Sequence, residues 1–311
     1  MKAVRIHNYG GQEQLIEENI EKPRPATGQV IVKQHATSIN PIDWKLRAGY
    51  LQDMVPFEFP VILGWDTAGV VDEVADDVTD FEIGDRVFAR PELTNQGTYA
   101  EYTAVDAHLL AHIPENLTYQ EAAGVPLTTM TAWQCLYDFA DIQPGDKVLI
   151  HAGAGGVGTM AIQLAKVTGA KVVTTASTHN VEFLYSLGAD KVIDYKKQDF
   201  DDELEDVDFV LDTLGGEIQE RSYKVLKNGG QLASVAAPPD QEQAEAHNVK
   251  AGFVWLEPVG EQMRAIAKLL EDKKIKPIVG HHYPLSEQGI RDAHALSETH
   301  HAKGKIIIDI D

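Results

Sequence analysis

The sequence predicts an α/β protein of two parts. A strand-rich N-terminal domain of small β-barrel or sandwich type precedes a doubly wound parallel-sheet domain, and a C-terminal segment returns to the first. Three observations carry this. Up to about residue 120 the chain consists of short runs alternating at period two, broken by Gly, Pro and Asn. A glycine cluster, "HAGAGGVG", then separates an apolar run at 147–151 from a helix-patterned segment. Beyond it strands and helices alternate, which requires parallel strands joined by crossover helices, until the tail breaks the alternation.

In chain order, 29–39, 68–74, 85–90 and 98–106 read as strands, with Gly84 supplying backbone freedom in the turn before the third. Thr118 reads as an N-cap, with Glu121 completing a capping box, and Pro126 divides the following helical region into two shorter helices. After the glycine cluster come a β-branched strand at 171–175 and a helix at 180–187 closed by Gly188. Strands at 191–195 and 207–212, a helix at 218–226 and a strand at 229–236 follow. The acidic stretch at 199–208 lacks the spacing of a calcium loop and reads as solvated loop. The loop 237–252 shows no fixed spacing, and "PDQEQAEAHN" (239–248) within it is expected to be a mobile flap. An amphipathic helix at 259–275 carries Met263, Ile266, Ala267 and Leu270 on one stripe. The tail is strand, helix, strand and is expected to rejoin the first domain. The boundaries are 1–120, 121–265 and 266–311.

Composition excludes several classes. The 311 residues are 43% hydrophobic and 24% charged, as in ordinary soluble globular chains. A formal net charge of −21 argues against nucleic-acid partners, which need basic surface. Membrane spans and a secretory leader are not expected, since no long apolar run occurs and the N-terminus enters a strand at once. The single cysteine, Cys135, forbids a disulfide or a thiolate cluster and reads as a core residue, which fits a reducing cytosol.

Gly153, Gly155 and Gly158 fit G-x-G-x-x-G in the context that gives the pattern meaning, a strand before and a helix after. The first glycine permits the tight turn, the second lets a pyrophosphate approach, and the third packs helix on strand, as in a Rossmann domain. The end of the second strand then selects the nucleotide. An NAD site places Asp or Glu there for the ribose 2′-hydroxyl, yet 171–181 reads "KVVTTASTHNV" without a carboxylate. Ser177, Thr178 and Asn180 offer neutral donors where a 2′-phosphate would lie, with Lys196 or Tyr195 on the next strand to complete the pocket. This favours NADPH.

The motifs "SINPIDWKLRAG", "PVILGWDTAGVVDEV", "GTYAEYTAV", "HAGAGGVGTMAIQLAK" and "HAKGKIII", in this order, give the whole chain a resemblance to the medium-chain dehydrogenase/reductases. Within them it is most similar to the zinc-independent quinone oxidoreductase and enone reductase branch. The resemblance implies a GroES-like barrel domain, a Rossmann domain, a C-terminal return to the barrel and a homodimer. It also implies cofactor contacts from Asn40, Lys45, Thr131, Gly156 and Val157, from Ser177, Thr178, His179 and Asn180, and from Tyr195, Val235, Phe253, Val254, Lys303 and Gly304. Asn40 opens the motif expected at the catalytic cleft. Where zinc-dependent members hold metal with cysteine, histidine and glutamate, this chain has Asn40, Trp65 and Asp66 and no second thiolate, so no tetrahedral zinc site is expected. His281, His282, His294, His300 and His301 suit no zinc spacing and are expected at the surface.

Without a Lewis acid, the fitting chemistry is hydride transfer to a conjugated acceptor, a quinone or an α,β-unsaturated carbonyl, over which charge spreads. Tyr50 could donate a proton, stack on a planar acceptor, or merely decorate the rim. Asp43 suits an orienting role better than that of a base. Two alternatives remain: an enoyl-thioester reductase, which needs a basic patch for its carrier phosphate, and an NADPH-binding protein without turnover, of crystallin type.

Overall fold

The computed structural model describes residues 1–310. The chain divides into two compact units, one of Met1–Leu127, Pro258–Lys273 and the chain from Pro277 onward, the other of Thr128–Glu257 and Lys274–Lys276. The first unit begins with β1 (Lys2–Ile6), β2 (Ile16–Asn19), β3 (Gln29–Ile39), α1 (Pro41–Arg47), β4 (Val61–Ile62) and β5 (Thr67–Val74). It continues with β6 (Arg86–Ala89), β7 (Tyr102–Asp106), β8 (Ala111–His112) and α2 (Tyr119–Ala123). Helix α3 (Pro126–Trp133) stands at the boundary. The second unit runs β9 (Lys147–Ile150), α4 (Gly156–Thr168), β10 (Lys171–Ala176), α5 (Val181–Ser186), β11 (Lys191–Asp194) and α6 (Phe200–Glu203). Then come β12 (Val207–Asp212), α7 (Gly216–Ser222), β13 (Leu226–Ser234), α8 (Gln241–Ala246) and β14 (Lys250–Phe253). The chain returns to the first unit with α9 (Gly260–Glu271), β15 (Val279–Pro284), α10 (Glu287–Glu298) and β16 (Lys305–Asp309).

In the first unit a seven-stranded sheet runs β15-β16-β3-β5-β6-β8, with β7 also on β3, beside a three-stranded sheet β2-β1-β4. The tail is part of this core. Strand β16 pairs antiparallel with β3, Ile306 opposite Ile39 and Ile308 opposite Thr37. Ile306, Ile307 and Ile308 are buried, each contributing roughly 1.5–3 kcal/mol by transfer from water.

In the second unit six parallel strands lie in the order β11-β10-β9-β12-β13-β14. Counted from β9 this is 3-2-1-4-5-6, the doubly wound order, with its switch point between β9 and β12. Thr118 caps α2 as expected: its hydroxyl accepts from Glu121 N at 3.2 Å, and the Glu121 carboxylate accepts from Thr118 N at 2.9 Å. Pro126 separates α2 from α3 by standing first in the latter, where its missing N–H costs nothing.

Three expectations need correction. The segment 237–252 is not all loop: Asp240 caps α8 by accepting from Glu242 N at 2.8 Å, and β14 adds the sixth strand. The acidic stretch is not all solvated loop, because Asp199 and Asp201 pair with Arg221 and Phe200, the first residue of α6, is buried. His294 is not at the surface but fully buried on α10.

Candidate active site

In the second unit the glycine turn follows β9, beside the switch point. Its three glycines differ in what the fold demands of them. A Cβ on Gly153 would stand 2.1 Å from Thr174 Oγ1, and one on Gly158 would stand 2.5 Å from the Ala152 carbonyl oxygen. Packing therefore excludes any side chain at both. A Cβ on Gly155 would meet nothing closer than 3.4 Å, an ordinary contact. Packing does not require a glycine at 155, which leaves room there for the close approach of a ligand. Gly155 is also the N-cap of α4, makes no side-chain cap, and leaves the helix amides for an anion. The turn thus fits a pyrophosphate.

The other residues expected at the nucleotide gather at the carboxyl ends of the parallel strands: Ser177, Thr178, His179 and Asn180 after β10, Tyr195 after β11, Val235 after β13, and Phe253 and Val254 at β14. Val157 is half-buried at the start of α4. Ser177 is half-buried, and Tyr195 is exposed with the Lys196 ammonium 5.2 Å from its ring centre. Asn180 is buried with its Oδ1 sealed from solvent and unpartnered. Thr178 departs from expectation: its hydroxyl donates to Asp194 Oδ2 at 2.7 Å and is spent inside the protein. Asp194, missed in the sequence because it lies one strand further on, ends β11 next to Ala176. The Thr178 hydroxyl, and then Lys197 at 3.0 Å, hold its carboxyl below the usual range. Its charge is thereby answered locally, whereas Lys196 makes no ion pair among the described residues. Asp212 was also missed: it accepts from Leu214 N and Gly215 N, both at 2.9 Å, and from Ser234 Oγ at 2.7 Å, fixing the loops after β12 and β13. His151 is buried between Thr175 and Ser222, and burial pushes it down to about 4, so it stays neutral.

In the first unit a buried polar cluster forms around the end of β3 and the start of α1. The Lys305 ammonium, wholly inside, donates to Ile39 O at 3.0 Å and Asn40 Oδ1 at 2.5 Å, and lies 3.5 Å from Asp66 Oδ2. Burial lowers its pKa, opposed by Asp66. Asp66 accepts from Asn40 Nδ2 at 2.7 Å, Leu127 N at 2.7 Å and the Ser38 hydroxyl. Asn40 is fully buried and engaged at both ends of its amide, and so helps to position α1. Gly304 has φ +65°, and a Cβ there would stand 2.5 Å from Ile278 O, so the fold itself requires a glycine. Lys303 is exposed and Thr131 buried.

A second chain of bonds anchors α1 from below. Tyr99 OH donates to Asp43 Oδ2 at 2.7 Å and lies 3.0 Å from His294 Nε2, while Arg47 Nη1 lies 3.0 Å from His294 Nδ1. Arg47 can only donate, so Nδ1 accepts and Nε2–H donates to Tyr99: a neutral imidazole with one tautomer. Burial, with Arg47 adding to it, pushes His294 to about 3; burial likewise raises Asp43 to about 7. Asp43 is an orienting residue: its carboxyl also accepts from Asn40 N at 2.8 Å. From the helix so held, Lys45 places its ammonium 5.8 Å from the Trp44 ring centre, and Tyr50, 74% exposed, stands edge-on to Trp44. No group of three or more His, Cys, Asp or Glu among the described residues is arranged to hold a metal ion.

A barrel unit and a doubly wound unit with a pyrophosphate turn define a nucleotide-dependent dehydrogenase or reductase. Residues 26–115 match the alcohol dehydrogenase GroES-like domain and residues 187–308 the zinc-binding dehydrogenase family. The NADPH-dependent alkenal/one oxidoreductase of Arabidopsis thaliana chloroplasts is 37% identical over 320 residues, 99% of this chain and 79% of that protein. A quinone oxidoreductase structure from Coxiella burnetii superimposes with TM-score 0.91 at 34% identity, covering 100% of this chain and 99% of that one. The Escherichia coli quinone oxidoreductase complexed with NADPH gives TM-score 0.89 at 26% identity, covering 99% and 100%. The chain belongs to the medium-chain dehydrogenase/reductase superfamily, in its quinone oxidoreductase and enone reductase branch.

Proposed function

We propose that this protein is an NADPH-dependent reductase of quinones or α,β-unsaturated carbonyls that works without a catalytic metal. The observation that carries the reading is Gly155, whose missing side chain the fold does not require, followed by a second strand end without a carboxylate. Ser177 and the unpaired Lys196 suit a 2′-phosphate. NADPH, when bound, supplies the hydride. The chain's own part is to hold the pyrophosphate on the α4 amides, to fix α1 and Lys45 beside the buried cluster, and to keep the Asn40, Trp65 and Asp66 positions filled by side chains without a metal donor set. Relatives named for alkenal, enone and quinone substrates support the acceptor class. The test is oxidation of NADPH in the presence of a panel of quinones and enones; binding of NADPH without its oxidation by any panel member would sink the reading.

We further propose a homodimer in a reducing, cytosolic setting, with neither nucleic acid nor membrane as partner. Strand β14 ends the parallel sheet and leaves one edge for a second copy, Cys135 is buried, and the charge of −21 repels polyanions. A monomer by sedimentation at micromolar concentration would overturn the dimer.

A further inference from the structure

Ala152 stands between β9 and the glycine turn with φ +50°. An alanine is at a disadvantage there. Its Cβ crowds the following carbonyl, and it lacks the short polar side chain that lets Asn or Asp settle in the left-handed region. Such a conformation persists only where its surroundings over-determine it. The Ala152 carbonyl oxygen accepts from Gly155 N at 3.0 Å and is the atom that a Cβ on Gly158 would strike. The orientation of this one residue therefore sets the start of α4.

The other side of Ala152 is held from β10 by a single residue. Thr175 Oγ1 accepts from Ala152 N at 3.2 Å, and Thr175 O accepts from Gly153 N at 3.0 Å. The hydroxyl proton points away from the turn, for a reason that begins on α7. Ser222 Oγ donates to Ile218 O at 2.7 Å, so its one proton is spent and it accepts from His151 Nε2, 2.9 Å away. A neutral imidazole protonated at Nε2 is bare at Nδ1, which accepts from the Thr175 hydroxyl at 3.3 Å. From Ala152 through Thr175, His151 and Ser222 to Ile218, each group donates to the next, and the three side chains are buried.

We propose that Thr175 is a positioning residue for the cofactor: its hydroxyl, turned by His151, holds Ala152 in the left-handed conformation that aims the glycine turn at the pyrophosphate. This deepens the reading above and rests on it. The nucleotide meets a turn already in its bound shape, whereas without the hydroxyl Ala152 relaxes and binding must restore it.

The test compares wild type with Thr175→Val, Thr175→Ser, Ala152→Gly and the Thr175→Val/Ala152→Gly double variant, each first shown to be folded by its melting temperature. The Kd of NADPH is read by fluorescence titration, and hydrogen exchange at the Ala152 amide is followed by NMR in cofactor-free wild type and Thr175→Val. Thr175→Val, close to isosteric, is expected to weaken NADPH about tenfold and to speed exchange at Ala152 at least about tenfold. Thr175→Ser keeps the hydroxyl and Ala152→Gly keeps the turn, so each should stay within about twofold of wild type. The double variant should return to within about threefold of wild type, because glycine adopts this φ unaided; loss of packing alone would not be rescued in this way. Unchanged NADPH affinity in Thr175→Val would overturn the proposal, as would a double variant as weak as the single one. If wild type binds no NADPH, the functional reading fails separately, and exchange at Ala152 still decides whether Thr175 holds the turn, since an unchanged rate in Thr175→Val would overturn it. Should Thr175→Val not fold, Thr175→Ala carries the same comparison.

Discussion

Gly155 and Gly158 stand three residues apart in the same motif and should fail in opposite ways. Gly158→Ala drives a Cβ to 2.5 Å from a backbone carbonyl and should destabilise the protein by about 1–3 kcal/mol in denaturant unfolding. Gly155→Ala should leave the melting temperature unchanged and weaken NADPH at least about tenfold in a fluorescence titration, roughly 1.4 kcal/mol. Equal losses of stability in both would mean that the turn is built for packing alone. If Lys196 meets the 2′-phosphate as proposed, Lys196→Glu should weaken NADPH and leave NADH unaffected. At this scale the sequence was informative about the glycines and about the missing carboxylate after β10, which are local patterns. It was silent about Asp194, Asp212 and Lys305, whose roles arise from register between strands far apart in the chain. The bonding of Asn40 was hidden for the same reason: nothing local shows that Lys305 and Asp66 engage its amide.

Helix α1 is seven residues long, too short to be stable alone, and is held by what lies beneath it. Asp43 and Arg47 reach into the core, to Tyr99 and His294, and Asn40 reaches to Asp66 and Lys305. Tyr99→Phe removes one of the two donors to Asp43 Oδ2 and should cost about 1–3 kcal/mol in unfolding free energy. Buried titratable groups, two of them in this cluster and His151 in the second unit, also make stability depend on pH. His151 and His294 are neutral when folded down to about 4 and about 3, but take up protons near 6.5 when unfolded, so acidification below that value favours unfolding. Asp43 works against them: folded, it is protonated below about 7, and unfolded only near 3.8, so its contribution is lost as pH rises. Around pH 5 these three groups leave the unfolded state with about one more proton, a loss of about 1.4 kcal/mol per pH unit of acidification. His294→Asn should remove that net dependence, a result read from unfolding free energies across the interval. The strands and the capping box around Thr118 were legible from period and cap residues, whereas α8 and β14 were not. The sequence of α8 is polar, and β14, an edge strand of four residues, carries no alternation long enough to read.

Over the whole molecule, the two units divide the work: one offers a pyrophosphate turn at the switch point of a parallel sheet, the other a buried polar cluster closed by the chain's last strand. The return of β16 to β3 makes the cluster possible, because it brings Lys305 to Asn40 across most of the sequence. Truncation before β16 should therefore abolish the fold of the first unit and not merely shorten it, as seen by loss of cooperative unfolding. The central claim is that a conjugated acceptor is reduced with hydride from NADPH and without metal. The direct measurement follows the absorbance of NADPH with an enone and a quinone, in protein dialysed against a strong chelator and assayed for residual zinc. Undiminished turnover in zinc-free protein is the predicted result. Activity lost on chelation and restored by stoichiometric zinc would contradict it.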